Sequence, residues 1–214
     1  MGATPAEAVA IEDGKRAYEA GKRVLDIVGA SLLLAILSLP AAIIALLIKL
    51  DSQGPVLFKQ NRVGRWGRLF TIYKFRTMVP NAEALQKNLE HLNEAGGAYF
   101  KIRRDPRVTK VGEVLRKLSL DEIPQFINVL IGDMSLVGPR PLPITGYEHE
   151  DWYVKKVSVP PGMTGLWQIS GRSDLSGEDA AALDLEYVRR RCTLFDLKLL
   201  LATVPAVLKR KGAA

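Results

Sequence analysis

The charge-free stretch between Ile27 and Ile48 constrains the fold more than any other feature of the chain. Its 22 residues are "IVGASLLLAILSLPAAIIALLI". As an α-helix this stretch would be about 33 Å long, which matches the roughly 30 Å hydrocarbon core of a bilayer. This length and the lack of charge favour a membrane segment over the alternative, a buried core helix of a soluble domain.

Two details favour a segment that enters and leaves the membrane on the same side. Pro40 lies inside the stretch, where a proline removes a backbone hydrogen bond and kinks a helix. Basic residues flank both ends: Lys22, Arg23 and Lys49. Positive charge favours the cytoplasmic side, so both ends are expected there. We predict a re-entrant helix over residues 22–50, broken at Pro40, with the Ser38 hydroxyl bonding a freed carbonyl. A straight single span is the competing interpretation.

The segment that follows predicts a β-hairpin with a basic face. "PVLFKQ" and "RLFTIYKF" alternate apolar and polar residues around a glycine-containing turn. Residues 59–76 hold no acid and six cations: Lys59, Arg62, Arg65, Arg68, Lys74 and Arg76. The net charge of +7 likewise indicates an anionic partner, either a phosphorylated substrate, an anionic lipid surface or nucleic acid. The hairpin therefore lies against lipid headgroups, lines a phosphate site, or does both.

The whole chain predicts a mostly helical α+β fold in three regions. These are a polar N-terminal extension over residues 1–21, the membrane segment over 22–50, and a cytoplasmic catalytic domain over 51–214. Further helices are expected at about 5–20, 80–95, 109–117, 177–191 and 194–210, and the last of these is amphipathic, as suits a membrane interface. A single cysteine excludes an intrachain disulfide and a cysteine zinc cluster.

The stretch "KLSLDEIPQF", residues 117–126, carries two adjacent carboxylates. Locally, Ser119 and Glu122 have the spacing of a capping box, which is a purely structural interpretation. Pro124 opposes it, because a helix capped by Ser119 would place a proline at its fifth position. A helix that begins at Asp121 tolerates the proline and places this carboxylate where a phosphate also binds well. Adjacent helical side chains point about 100° apart, so the two carboxylates would have different roles.

Several segments in order resemble the monotopic phosphoglycosyl transferases of bacterial surface-glycan assembly, the bacterial sugar transferase family. They are "KRVLD", the proline-broken apolar segment, "KQNRVG", "YKFRTM", "DPRVTKVGEVLRKLSLDEIPQ", "NVLIGDMSLVGPRP", "PPGMTGLWQISGR" and "DLKLLLAT". The resemblance runs from about Lys22 to Lys211. One departure is "SLP", because many small members place serine directly before the proline.

The resemblance implies transfer of a sugar 1-phosphate from a UDP-sugar to polyprenyl (undecaprenyl) phosphate, with release of UMP. This step would begin surface polysaccharide assembly on the cytoplasmic face of the bacterial inner membrane. The insert between "KFRTM" and "DPRVT" is similar to that of hexose-1-phosphate members. Membrane lipids and a homodimer are further expected partners, and nucleic acid is not. Many such members carry a large N-terminal membrane domain that this sequence lacks, which fits either a short natural form or a catalytic fragment.

The resemblance also implies roles for individual residues. Asp121 would be the nucleophile that forms a covalent phosphosugar intermediate, Glu122 its partner, and both would contact the required Mg²⁺. Phosphate or nucleotide contacts are expected from five cations: Lys74, Arg76, Arg116, Arg140 and Arg172. These residue types fit the transfer of a phosphate group, since fixed cations and a hard metal ion reduce the repulsion between anionic substrates. Trp167 either shapes the nucleotide pocket or serves in packing.

Two alternatives remain open from the sequence. A non-enzymatic, basic, membrane-anchored scaffold explains the charge and the apolar stretch, but it does not explain "SLDEIPQ" or "GPRP". The same transfer could also proceed by direct displacement in a ternary complex. The sequence specifies neither the sugar nor the glycan pathway.

Overall fold

The structure is a computed structural model that describes residues 5–93, 102, 105–143, 151–171 and 175–208. Within these residues the helices are α1 (Pro5–Asp51), α2 (Ala82–Gln86), α3 (Lys110–Lys117), α4 (Gln125–Ile131), α5 (Asp151–Lys156), α6 (Leu166–Ser170), α7 (Gly177–Arg190) and α8 (Thr193–Leu208). The strands are β1 (Leu57–Val63), β2 (Leu69–Phe75), β3 (Ser135–Val137), β4 (Leu142–Pro143) and β5 (Gly162–Thr164). The mostly helical α+β class is as predicted.

Helix α1 joins the N-terminal extension and the apolar stretch into one helix of 47 residues. The helix continues through Pro40, so the break predicted there does not interrupt it. Pro40 cannot donate to the carbonyl of Ile36, four residues earlier. The Ser38 hydroxyl donates instead to the neighbouring carbonyl of Ala35, at 2.8 Å. Ser38 therefore makes an ordinary bond to the preceding turn and does not partner the carbonyl that Pro40 frees.

The apolar part of α1 is exposed. Only 11% of its most apolar stretch of 18 residues is buried, and the helix is long and apolar enough to cross a membrane. A core helix of a soluble domain would bury most of this surface. The exposed apolar surface therefore favours a membrane segment, as the sequence predicted.

Both ends of the apolar stretch are held by the same globular domain. At its start, Asp26 Oδ1 accepts a hydrogen bond from the backbone N–H of Leu136 at 2.8 Å. At its end, the Arg76 guanidinium donates to the carbonyls of Ile48, at 3.4 Å, and Ser52, at 2.8 Å. The Ile48 carbonyl also accepts from the Ser52 N–H at 3.2 Å, so Arg76 adds a second bond there and provides a donor for the Ser52 carbonyl at the helix C-terminus.

The predicted hairpin is present and gains a third strand. Strands β1 and β2 pair antiparallel, from Leu57 opposite Phe75 to Val63 opposite Leu69. Strand β4 pairs with the other edge of β1, which gives the order β2-β1-β4, while β3 and β5 form a separate parallel pair. Strand β4 follows directly after "GPRP", so this pairing brings that motif beside the basic hairpin.

The side chain of Asn128 on α4 satisfies the free edge of β2. Its Oδ1 accepts from the Tyr73 N–H at 3.0 Å, and its Nδ2 donates to the Thr71 carbonyl at 2.7 Å. Asn128 is fully buried, so these bonds replace a neighbouring strand where water has no access. They also fix α4 against the sheet.

The predicted boundaries of the later helices agree closely with the structure. Thr109 caps α3 by accepting from the Gly112 N–H at 3.0 Å, and Ser176 caps α7. The polar helix expected over residues 80–95 is shorter, because α2 passes into a 3₁₀ helix, Lys87–Leu92. Its expected end at "EAGG" lies outside the described residues.

Candidate active site

The two carboxylates lie in a 3₁₀ turn, Leu120–Glu122, just before α4. The prediction that an α-helix begins at Asp121 was wrong by one turn. Pro124 has no N–H to donate to the Leu120 carbonyl, and the Ile123 N–H bonds that carbonyl instead, at 3.2 Å. Pro124 thus becomes the residue before α4.

Ser119 has a left-handed backbone conformation, with φ of 55°, and does not cap the turn through its side chain. The capping-box interpretation of "SLDE" is therefore not supported. A left-handed serine is uncommon and reverses the chain between α3 and the turn. The reversal places Asp121 on the inner side of the turn, where it is buried.

Lys74 on β2 brings the two carboxylates together. Its Nζ lies 2.8 Å from Glu122 Oε1 and 3.6 Å from Asp121 Oδ2. Arg140 approaches from the loop between β3 and β4, with its Nη1 3.7 Å from Glu122 Oε1. Three separate segments thus build one cluster of two acids and two cations.

Asp121 is only 9% exposed, and its surroundings change its acidity. Burial raises the pKa of Asp121 above its ordinary value, the positive charge of Lys74 opposes this rise, and the negative charge of Glu122 adds to it. A carboxylate in this situation is more basic than a free aspartate. Such a group, held among cations, is suited to attack or bind a phosphorus centre.

Arg140 is positioned through both its backbone and its side chain. Its backbone N–H bonds the carboxylate of Asp184 on α7. Asp184 in turn pairs with Lys156 at 2.6 Å, and both side chains are buried. The guanidinium lies 5.3 Å from the centre of the Trp167 ring, within cation–π range. Trp167 therefore supports Arg140, and its indole N–H is buried without a partner among the described residues.

Arg116 on α3 lies close enough to Asp121 for their charges to interact. Its Nε donates to Thr77 Oγ1 at 3.1 Å. This close approach depends on Gly112, because a Cβ there would lie 2.0 Å from the Thr77 carbonyl oxygen. Burial lowers the pKa of Arg116, while the negative charge of Asp121 counteracts this.

Arg62 is a further cation beside the carboxylates that was not among the predicted site residues. Burial and the nearby positive charge of Arg140 lower the pKa of Arg62 to about 10, and Glu122 opposes the effect. Its Nε is buried without a partner among the described residues. Two adjacent guanidinium groups, one with a spare buried donor, are suited to an anion. The signal in the sequence was its place in the motif "KQNRVG", but only the pairing of β1 with β4, which sets Arg62 opposite Pro143, brings it beside Arg140.

The other expected cations are placed differently. Arg76 lies at the C-terminal end of α1, where its guanidinium donates to main-chain carbonyls, so the structure does not bring it to the carboxylates. Arg172 lies outside the described residues. Lys74, Arg116 and Arg140 are brought together around Asp121 and Glu122.

The carboxylates fit a metal ion that is shared with a substrate. No group of three acidic, histidine or cysteine side chains occurs within the described ranges, so they contain no complete metal cage. Mg²⁺ usually binds one or two carboxylates together with substrate phosphates and water. Asp121 and Glu122 supply such oxygens, and a bound diphosphate would supply the remainder.

A buried carboxylate among cations, on a domain that carries an exposed apolar helix, is characteristic of membrane-associated proteins with a site for anionic substrates. The bacterial sugar transferase family model matches residues 17–210. The chain therefore belongs to the bacterial sugar transferase family, as the sequence motifs predicted.

Curated relatives agree with this family. The chain is 44% identical over 201 residues to the galactosyl transferase CpsE of Streptococcus agalactiae, which covers 93% of this chain and 44% of the relative. It is 41% identical over 207 residues to the undecaprenyl-phosphate galactose phosphotransferase of Salmonella typhimurium, covering 93% of this chain and 43% of the relative. It is 40% identical over 211 residues to the UDP-glucose:undecaprenyl-phosphate glucose-1-phosphate transferase of Caulobacter vibrioides, covering 92% of this chain and 73% of the relative. The chain thus spans less than half the length of the first two relatives.

Proposed function

We propose that this protein transfers a hexose 1-phosphate from a UDP-hexose to undecaprenyl phosphate and thereby begins assembly of a surface polysaccharide. The observation that carries the proposal is the buried Asp121, which lies 3.6 Å from Lys74, with Glu122, Arg116 and Arg140 nearby. The names of the relatives specify galactose or glucose as the sugar and undecaprenyl phosphate as the lipid. Both substrates are anionic, which accounts for the cations.

The proposed reaction has two steps. An Asp121 carboxylate oxygen attacks the phosphorus that carries the hexose, the bond from that phosphorus to the bridging oxygen breaks, and UMP leaves with the electron pair. A phosphate oxygen of undecaprenyl phosphate then attacks the same phosphorus. The Asp121 carboxylate is released and undecaprenyl diphosphate hexose forms. Because the steps are separate, the two anionic substrates never have to occupy the site together.

The neighbouring side chains have distinct roles in this proposal. Lys74 keeps the buried Asp121 ionised and orients Glu122. Arg62 and Arg140 bind the diphosphate and stabilise charge on the transferring group. Asp121 and Glu122 would hold Mg²⁺, which when bound neutralises phosphate charge. Arg172 remains a predicted phosphate contact.

We further propose that α1 is re-entrant and that the domain lies on the cytoplasmic face of the inner membrane. Asp26 and Ile48 are 22 residues apart, about 33 Å along a straight helix, yet both contact the same domain. A straight crossing would place these residues on opposite sides of the bilayer. Both contacts argue against a straight crossing, and they are compatible with a segment that returns to the side it entered.

Adduct formation tests the reaction. Detergent-solubilised protein is incubated with labelled UDP-glucose or UDP-galactose and Mg²⁺, without acceptor lipid. We expect UMP release together with a protein-bound phosphosugar in the wild type, and no adduct in Asp121→Asn. Asp179→Asn, an exposed carboxylate on α7, is the matched control and should retain the adduct. Turnover with acceptor lipid but without an adduct would instead support direct displacement, and no turnover with any nucleotide sugar would support a scaffold.

Topology is tested by labelling single cysteines. Cys192 is the only native cysteine, so Cys192→Ser gives a cysteine-free background. Ala20→Cys and Ser52→Cys, introduced separately, should react with an impermeant reagent from the same side of sealed vesicles. Reaction from opposite sides would refute the re-entrant arrangement.

A further inference from the structure

A polar cavity lies away from the carboxylates. It has a volume of about 290 Å³ and is formed between α1, the turn of the hairpin, the segment before β5 and the end of α7. Six of its lining residues are Tyr18, Lys22, Arg23, Arg65, Tyr187 and Arg191. The proposed transfer reaction uses none of these side chains.

The cavity and the carboxylates lie at opposite ends of α4. Arg23 lines the cavity and donates to the carbonyls of Val129 and Leu130, both at 2.6 Å, in the last turn of α4. Asp121 and Glu122 precede the first turn of the same helix. Helix α4 has seven residues, so its ends are about 10 Å apart. The cavity is therefore a separate site.

The cavity lies where two exposed apolar surfaces begin. Val24 and Val28 on α1 are each 60% exposed, and Leu194 and Leu201 on α8 are 63% and 74% exposed. Arg191 precedes the start of α8 by two residues. A domain that rests on a membrane through these surfaces places the cavity at the level of the lipid headgroups.

The cations of the cavity are held in place but retain unused donors. Lys22 pairs with Asp196 at 2.7 Å, and Arg65 pairs with Glu19 at 2.9 Å. The Nε of Arg65 is buried without a partner among the described residues. Arginine offers five N–H donors, so guanidinium groups fixed through one or two of them can still bind an anion.

The balance of the lining indicates the kind of ligand. Four cations line the cavity together with two carboxylates, Glu19 and Asp26, while Met134, Val159 and Pro160 contribute apolar surface. A third carboxylate, Asp196, pairs with Lys22, so the cations exceed the acids by one. A phosphate group with an attached glycerol and acyl chain matches both parts of this lining. We propose that the cavity binds the headgroup of an anionic membrane phospholipid. This site does not depend on the proposed chemistry of Asp121.

A thermal-shift experiment in neutral detergent tests the site. The probes are dihexanoyl-phosphatidylglycerol, dihexanoyl-phosphatidylcholine and inorganic phosphate at equal concentrations. We expect the phosphatidylglycerol probe to raise the Tm by about 3–6 °C at tenfold excess over its Kd. The other two probes should have much smaller effects. Asp121→Asn should respond like the wild type, which separates this test from the test of the reaction.

Two variants address the lining directly. Arg191→Gln and Arg65→Gln should lose most of the shift, whereas Arg189→Gln, which removes the same charge from an exposed position on α7, should retain it. Each lining variant is measured separately, so that one still tests the site if the other alters the fold. The Tm of each variant without probe shows whether its fold is altered. An equal shift in both lining variants, or an equal shift with phosphatidylcholine or with inorganic phosphate, would overturn the proposal.

Discussion

Replacing Lys74 by methionine should move the acid limb of the pH–rate profile to higher pH. Lys74 is the strongest of the charges that keep the buried Asp121 ionised, and its Nζ lies 3.6 Å from Asp121 Oδ2. Methionine keeps the apolar stem and removes the charge. Without that charge the pKa of Asp121 rises further, because burial and Glu122 both favour the protonated form.

The magnitude follows from the distance. Two unit charges 3.6 Å apart at an effective dielectric constant of about 20 interact by about 4.6 kcal/mol. One pKa unit corresponds to about 1.4 kcal/mol, so the upper limit of the shift is about 3 units. The Lys74 side chain is 20% exposed, and solvent screening reduces the effect. We expect a shift of about 1–3 pH units.

The assay is the pH dependence of kcat/KM for UMP release without acceptor lipid, because this parameter reports ionisations of the free enzyme. The attacking carboxylate must be ionised, so the rate falls as the pH drops through its pKa. In the wild type this fall should occur above the ordinary aspartate value of 3.8, since burial raises the pKa of Asp121.

A matched control separates the local charge from the net charge. Lys59→Met removes an exposed cation from β1, where the ammonium lies 5.8 Å from the Tyr73 ring. This variant should leave the acid limb unchanged. If Lys74→Met also left the limb in place, or moved it to lower pH, then Asp121 would not be the titrating nucleophile that Lys74 keeps ionised.

Three further variants test the scaffold and the cations. Asn128→Ala leaves two backbone groups of β2 without partners, which should lower the free energy of unfolding by about 2–4 kcal/mol in a denaturation experiment. Gly112→Ala places a Cβ 2.0 Å from the Thr77 carbonyl oxygen, so we expect a cost of about 1–3 kcal/mol by the same measurement and slower UMP release. Arg62→Gln removes a proposed diphosphate contact and should lower kcat/KM for UMP release by about 10- to 100-fold. The Tm of this variant should not fall, because the substitution also removes the positive charge that Arg62 places beside Arg140. A fall in Tm with unchanged kcat/KM would show that the role of Arg62 is structural.

The sequence predicted those features that depend on local chemistry. Alternation predicted the hairpin, and Thr109 marked the start of α3, because strand periodicity and N-caps are properties of a few neighbouring residues. At "SLDEIPQ" the neighbouring residues predicted only part of the local structure. Pro124 correctly argued against a helix capped by Ser119, but the left-handed Ser119 and the 3₁₀ turn depend on how α3 and α4 pack.

Contacts between distant segments could not be predicted in the same way. Arg62 and Arg76 carry the same charge in the same basic segment, yet one lies beside Arg140 and the other binds carbonyls of α1. Only the pairing of β4 with β1 and the position of the α1 C-terminus distinguish them. The resemblance supplied site residues by position in a motif, and it could not say which cations reach the carboxylates.

The segment "YKFR" explains how a water-soluble nucleotide sugar and a membrane-bound acceptor could meet at one carboxylate. Lys74 contacts Glu122 and Asp121, while Arg76, two residues later, binds the carbonyls of Ile48 and Ser52 where the apolar helix ends. Two residues of extended chain span about 7 Å. The end of β2 therefore fixes the carboxylates close to the level at which α1 leaves the bilayer under the proposed topology. A lipid phosphate lies at that level, so Arg76 would serve the reaction by setting the depth of the site without contacting either substrate.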